Sequence, residues 1–215
     1  MNNGTSSTLN SKQDLASIPT AQGGLSRLAI TRLKSAGVPV APLLRRVRLT
    51  PEVIADPEER LSVQSQITLL HEAAIALKDD CLGFTLARDF DPREIGLLHY
   101  VMASSQTLGD GLKRVARYSQ ITNEALVVRY REVNRLIISL SYSDVPRHSD
   151  RHQIEFCMFG VLRICRMLTG QNLVPQHFWI SHHRSGANSE MARFVGTTVQ
   201  FGADTDEFSP QRQRT

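Results

Sequence analysis

After Ser62, apolar residues recur at alternating steps of four and three. Val63, Ile67, Leu70, Ala74 and Leu77 share one face and predict a helix that Lys78-Asp79-Asp80 ends. Upstream, Ser26 to Ala36 reads as a first helix, capped by Ser26 and stopped by Gly37 and Pro39, with a shorter helical piece at Pro42–Arg46. Thr50-Pro51-Glu52 places a capping residue before a proline at the first helical position, and Asp56-Pro57-Glu58-Glu59 repeats that order. Downstream, Leu82 to Ala87 is a compact apolar segment, read as another helix. Asp91-Pro92-Arg93-Glu94 opens a further one carrying Ile95, Leu98, Val101 and Met102. Thr107-Leu108-Gly109-Asp110 has the form of a helix start, and Leu108, Leu112, Val115 and Ser119 then line one face.

The period then falls to two. Leu126, Val128 and Tyr130 alternate with their neighbours, as do Leu136, Ile138, Leu140 and Tyr142 after Glu132-Val133-Asn134, which predicts an antiparallel hairpin. A long helix capped by Ser149 follows, with the stripe Ile154, Cys157, Val161, Ile164 and Leu168 and a stop at Gly170. Val174–Ser181 reads as a strand, Asn188–Val195 as a short helix and Thr198–Phe201 as a last brief strand. Helices and hairpins that are segregated along the chain indicate an α+β fold: a helical N-terminal half packed with a small antiparallel sheet and one long helix. The expected organisation is a disordered tail over residues 1–24, which has little to bury, one domain over 25–208, and a polar tail over 209–215.

With 41% hydrophobic and 21% charged residues, composition adds only that the chain suits a globular domain with one core. Cys81, Cys157 and Cys165 lie in apolar stretches with no C-x-x-C spacing, so they read as buried free thiols of a reducing cytoplasm. No apolar run approaches the ~20 residues of a membrane span, and the first 25 residues lack the apolar stretch of a signal peptide. A cytoplasmic location and no membrane association are expected. The net charge of +4 permits an acidic partner without implying one.

Candidate chemistry is sparse. His148 and His152 stand four apart, and His177, His182 and His183 lie on or after a predicted strand, but none has H-E-x-x-H or comparable spacing. They read as solvated loop and cap histidines, so no metal and no cofactor is expected. G-x-S-x-G, G-x-G-x-x-G and G-x-x-x-x-G-K-[ST] are absent, which leaves no catalytic residue to nominate. The basic groups Arg45, Arg46, Arg48 and Lys113, Arg114, Arg117 have no helix-turn-helix pair or aromatic platform beside them. His99, Tyr100, Tyr118, Asn123, Arg129 and Tyr142 are polar or amphipathic groups near apolar faces. They are the candidate ligand-binding set, since small ligands are held by mostly apolar pockets with a few convergent polar groups. Core tyrosines satisfied by backbone partners are the competing reading.

Several segments resemble a known family in order along the chain. Arg60-Leu61-Ser62-Val63, Ala73-Ala74 before Asp79-Asp80, and Leu82-Gly83-Phe84 come first. The most characteristic block follows, Gly96-Leu97-Leu98-His99-Tyr100-Val101-Met102-Ala103-Ser104-Ser105 with Thr107-Leu108, then Arg117-Tyr118 and Asn123-Glu124. Val174-Pro175, His182-His183, Phe194-Val195-Gly196 and Val199-Gln200-Phe201-Gly202-Ala203 close the series. Together they resemble the N-terminal, arabinose-binding-type domain of bacterial AraC-family transcription regulators, over about Leu25 to Phe208. The periodicity is more helical than the barrel of the founding arabinose regulator. The resemblance implies a domain that senses a small-molecule effector and pairs subunits, as a homodimer or as a mixed dimer with a full-length relative. The family's DNA-binding half would begin where this chain stops, so a regulator truncated before it is expected, with no specific DNA binding by this chain alone. Two alternatives stay open: a small metal-dependent enzyme using the His177–His183 cluster, and a purely structural interaction module.

Overall fold

In the computed structural model, residues 19–132, 136–143, 150–184 and 189–210 are described. The described residues form the expected α+β arrangement. Strand β1 (Thr20–Gln22) leads into α1 (Gly24–Ser35), α2 (Val40–Arg46) and α3 (Pro51–Ala55). Strand β2 (Arg60–Ser62) pairs antiparallel with β1 and runs into α4 (Val63–Leu77) and α5 (Leu82–Asp89). A short 3₁₀ turn (Pro92–Ile95), α6 (Leu97–Ala103) and α7 (Leu108–Thr122) complete the helical half.

Local chemistry explains most boundaries. Thr50, Ser62 and Thr107 cap their helices: each side-chain oxygen accepts from the backbone N–H three residues on, at 3.4, 3.4 and 3.1 Å. Gly170, in the left-handed region at φ 64°, ends the long helix as expected. The helix expected to open at Asp91 is two pieces, because Gly96 at φ 61° breaks it. Ser26 does not cap α1. It is buried within the first turn, and its hydroxyl donates to Gln66 Oε1 at 3.1 Å. Nor does Asp56-Pro57 open a helix: Asp56 Oδ1 accepts from Glu58 N at 2.9 Å in a turn that feeds β2. The proposed cap Ser149 and His148 lie outside the described residues.

The second half is a five-stranded mixed sheet in the order β3-β4-β7-β5-β6. The hairpin β3 (Leu126–Glu132) and β4 (Leu136–Tyr142) pairs in continuous antiparallel register. Helix α8 (Arg151–Thr169) packs mainly on α5, and β5 (Pro175–Ile180), α9 (Ser189–Val195) and β6 (Val199–Phe201) follow. Strand β5 runs parallel to β6.

Two elements lie where tails were expected. Thr20–Gln22 is a strand, and β7 (Asp206–Pro210), whose last two residues fall in the expected polar tail, is buried along its whole length between β4 and β5. Its Phe208 completes a row of core rings. Phe84 meets Phe159 edge-on at 4.9 Å, Phe159 stacks on Phe178 at 4.9 Å, and Phe178 on Phe208 at 5.5 Å. Each such pair contributes about 0.5–1.5 kcal/mol beyond the area it buries. This row fixes α5 and α8 against the sheet.

Candidate functional site

Helix α8 separates two environments. Residues Phe159, Leu162 and Cys165 face the core and are fully buried. The stripe containing Cys157, Val161 and Ile164 instead walls a cavity of about 300 Å³. Across it stand Leu25 and Leu28 of α1, Val115 and Ser119 of α7, and Leu126, Val128 and Leu140 on one face of the hairpin. Exposed Gln22, Pro57 and Glu94 rim its mouth. Gly160 keeps the cavity open from the helix side: a side chain there would first meet Phe90, at 3.8 Å.

The buried polar groups of this wall are neutral. Ser26 donates to Gln66, and Gln66 Nε2 donates to Gln153 Oε1 at 3.4 Å. Gln66 and Gln153, only 2% and 1% exposed, therefore form a relay from α1 through α4 to α8. The far end, the Gln153 amide nitrogen, makes no hydrogen bond among the described residues. Asn123, after α7, is oriented by its own turn, because Oδ1 accepts from Ala125 N at 3.1 Å. That leaves its amide nitrogen free of partners among the described residues. The charged side chains on the cavity, Arg27 and Glu94, stand at the mouth, where Arg27 Nη1 reaches Asp56 O at 3.5 Å.

Of the six candidate residues, the structure brings only Asn123 to the cavity. His99 is buried on α6, its Nδ1 without a partner among the described residues and its ring edge-on to Tyr100 at 5.3 Å, while Tyr100 is 61% exposed. Tyr118 lies under the Arg117 guanidinium. Arg129 is exposed and donates to Ser141 Oγ at 3.1 Å across the hairpin. Tyr142 packs on a small cluster of Ala21, Val63, Ile67 and Ala125. The residues that sequence reasoning missed are Gln66 and Gln153, although each carried a signal. Gln66 sits three after Val63 and four before Leu70, and Gln153 four before Cys157, so both are polar side chains on apolar stripes.

The opposite side of α8 holds charge. Glu155, fully buried, accepts from Arg184 Nη2 at 2.5 Å, and His182 Nε2 stands 3.0 Å from the same oxygen without a well-aligned N–H···O line. Burial pushes the Glu155 carboxyl up, but His182 and Arg184 outweigh it and hold it below the ordinary carboxylate value. Arg184 also reaches Asp80 Oδ2 at 3.0 Å, and Arg151 pairs with Asp80. His152 is buried, and desolvation pulls it down to about 4, so its ring is neutral and Nδ1 accepts from Gly83 N at 3.4 Å. His177 Nε2 meets Glu207 at 3.2 Å on the sheet, and His183 is exposed. The histidines are thus split among separate partners. Among the described residues no three metal-ligating side chains converge. Among the described residues no disulfide joins the cysteines: Cys165 is buried, while Cys81 and Cys157 are half-buried. Arg45, Arg46, Arg48, Lys113, Arg114 and Arg117 are exposed, with Arg46 paired to Glu72.

Residues 37–213 match the family model of the arabinose-binding domain of AraC transcription regulators, N-terminal. The chain is 22% identical over 175 residues to the HTH-type transcriptional regulator VirS of Mycobacterium tuberculosis, in both strain CDC 1551 / Oshkosh and strain ATCC 25618 / H37Rv. That match covers 79% of this chain and 51% of the relative, so the chain spans about half the length of the curated relatives it matches. The crystal structure of the transcriptional regulator CdpR from Pseudomonas aeruginosa shares the fold. Its TM-score is 0.52 at 15% identity, over 80% of this chain and 53% of that one.

Proposed function

The chain belongs to the family of N-terminal arabinose-binding domains of AraC transcription regulators, and from that premise we propose that the cavity beside α8 is its effector site. The observation that carries this reading is the pairing of a largely apolar wall with buried amide groups, Gln153 and Asn123, that keep unspent hydrogen-bonding capacity. Buried polar groups are normally paired, and a cavity that leaves two of them open is suited to a ligand that pairs them.

The cavity is bounded by α1, α7, the hairpin and α8, elements far apart in sequence. A ligand bridging them stabilises one relative arrangement and shifts the population toward it. Within a regulator, that shift is how the domain would report its effector. We further propose that the domain pairs with a second copy, or with a full-length relative, and that DNA reading belongs to other parts of such regulators.

Thermal unfolding in the presence of a metabolite library tests the effector site, with Gly160→Leu as the control that fills the cavity. A compound at 100 times its Kd stabilises the wild-type chain by about 2.7 kcal/mol. The gain should vanish in Gly160→Leu. A hit that stabilises both proteins equally binds elsewhere and contradicts the reading. Light scattering that gives a 24.0 kDa monomer at high micromolar concentration would contradict the pairing.

A further inference from the structure

The polar inventory of the cavity also limits what it can hold. Ser26, buried in α1, has its hydroxyl proton committed to Gln66 Oε1, which fixes Gln66 to donate and Gln153 to accept. The open end of the relay is therefore an amide N–H₂ donor. Asn123 is fixed in the same sense by the Ala125 N–H, and it too offers an N–H₂. Ser119 has its proton directed at Ala116 O, at 3.4 Å within α7. Thr122 likewise sends its proton to Ser119 O, at 2.8 Å, so these two hydroxyls keep only acceptor lone pairs. The unspent donors at the ends of the relay and the turn are thus two neutral amide nitrogens, and among the described residues the charged side chains on the lining are Arg27 and Glu94, at the mouth.

Resting on the effector-site reading above, we propose that the ligand is an uncharged, largely apolar molecule with a single carbonyl-type acceptor, such as a medium-chain acyl amide, ester or ketone. A carbonyl oxygen has two lone pairs, which two amide donors can fill. A free pentose carries a hydroxyl or ring oxygen on nearly every carbon. Most of these would face Val128, Leu140 and Ile164 with no partner, and each buried unpaired hydroxyl lowers affinity. A carboxylate or ammonium group would have to shed its water with no opposite charge inside the wall. This chain's cavity is therefore not built for a free sugar, despite its family's name.

Calorimetric titration with octanamide, sodium octanoate and L-arabinose tests the proposal on the wild-type chain, Gly160→Leu and Asn123→Asp. The aspartate still accepts from the Ala125 N–H but replaces the donor by an acceptor that repels a carbonyl oxygen. Octanamide is expected to saturate the wild type, to lose binding in Gly160→Leu, and to weaken at least tenfold in Asn123→Asp. Circular dichroism confirms that each variant folds, and Gly160→Leu carries the test if Asn123→Asp does not. L-arabinose or octanoate binding more tightly than octanamide, and blocked by Gly160→Leu, would overturn the ligand class while leaving the effector site standing. Octanamide binding that Gly160→Leu leaves unchanged would overturn both. Absence of octanamide binding up to its solubility limit would overturn the ligand class.

Discussion

A methyl group placed on Gly83 would lie 2.1 Å from the carbonyl oxygen of His152 and 2.7 Å from its carbonyl carbon. Helices α5 and α8 meet there backbone to backbone, and the Gly83 N–H is close enough to donate to the His152 ring. The obstruction is main chain, so no rotamer change relieves it.

Two glycine-to-alanine substitutions should consequently act in opposite directions. Gly83→Ala should destabilise the fold by about 3 kcal/mol or more, because α8 must move away from the core. Gly160→Ala sits in the same long helix, meets nothing nearer than 3.8 Å and should stabilise by about 0.5–1 kcal/mol. Urea unfolding of both variants checks the pair. Equal effects of one sign would show that the α5–α8 approach is looser than described.

Acid should weaken the fold through His152. Desolvation lowers its pKa from 6.5 to about 4 in the folded protein, so the unfolded chain binds the proton more readily between those values. Stability contributed by the neutral ring is complete above pH 6.5 and is lost as pH falls toward 4, by roughly 3 kcal/mol in all. Glu155, held below its ordinary 4.5, adds a further loss only below about that pH. His152→Gln should flatten the dependence between pH 6.5 and 4, as read from urea midpoints across that range. An unchanged slope would assign the acid sensitivity to another group.

The Glu155–Arg184 pair gives a third expectation. Arg184→Leu leaves a buried carboxylate facing His182 without its guanidinium, and breaking such a pair costs about 3–5 kcal/mol. Adding Glu155→Leu to that variant should recover much of the loss, since the uncompensated charge goes with it. A double variant less stable than Arg184→Leu, in the same denaturant series, would show that Glu155 has other essential partners.

The helices were legible in the sequence because their caps and stops are local. Thr50, Ser62, Thr107 and Gly170 act within a turn of themselves. Strand β7 was not, because its polar side chains are satisfied by distant partners. Asp206 accepts from Ser181, Glu207 takes His177 and Arg131, and the Ser209 hydroxyl donates to Leu136 O. No local pattern shows that Asp206-Glu207-Phe208-Ser209-Pro210 is interior. The site was half-legible for a similar reason. Periodicity marks Cys157, Val161 and Ile164 as one apolar face, but whether that face meets core or an opening depends on how α1 and α7 pack across from it. Of the six residues chosen by type, Asn123 lines the cavity and the other five do not. The relay Ser26–Gln66–Gln153 crosses three helices and became visible only once they were assembled.

Methyl-resolved NMR during an octanamide titration reads out whether the opening beside α8 is a ligand site. Methyls of Leu126, Val128, Leu140 and Ile164 line the cavity, whereas those of Ile54, Leu61 and Leu69 belong to a separate cluster beneath α3 and α4. Saturable shifts are expected in the first group, with the second unmoved. Shifts confined to the second group, or to exposed Ile75 and Ile121, with the cavity methyls silent, would contradict a ligand site there.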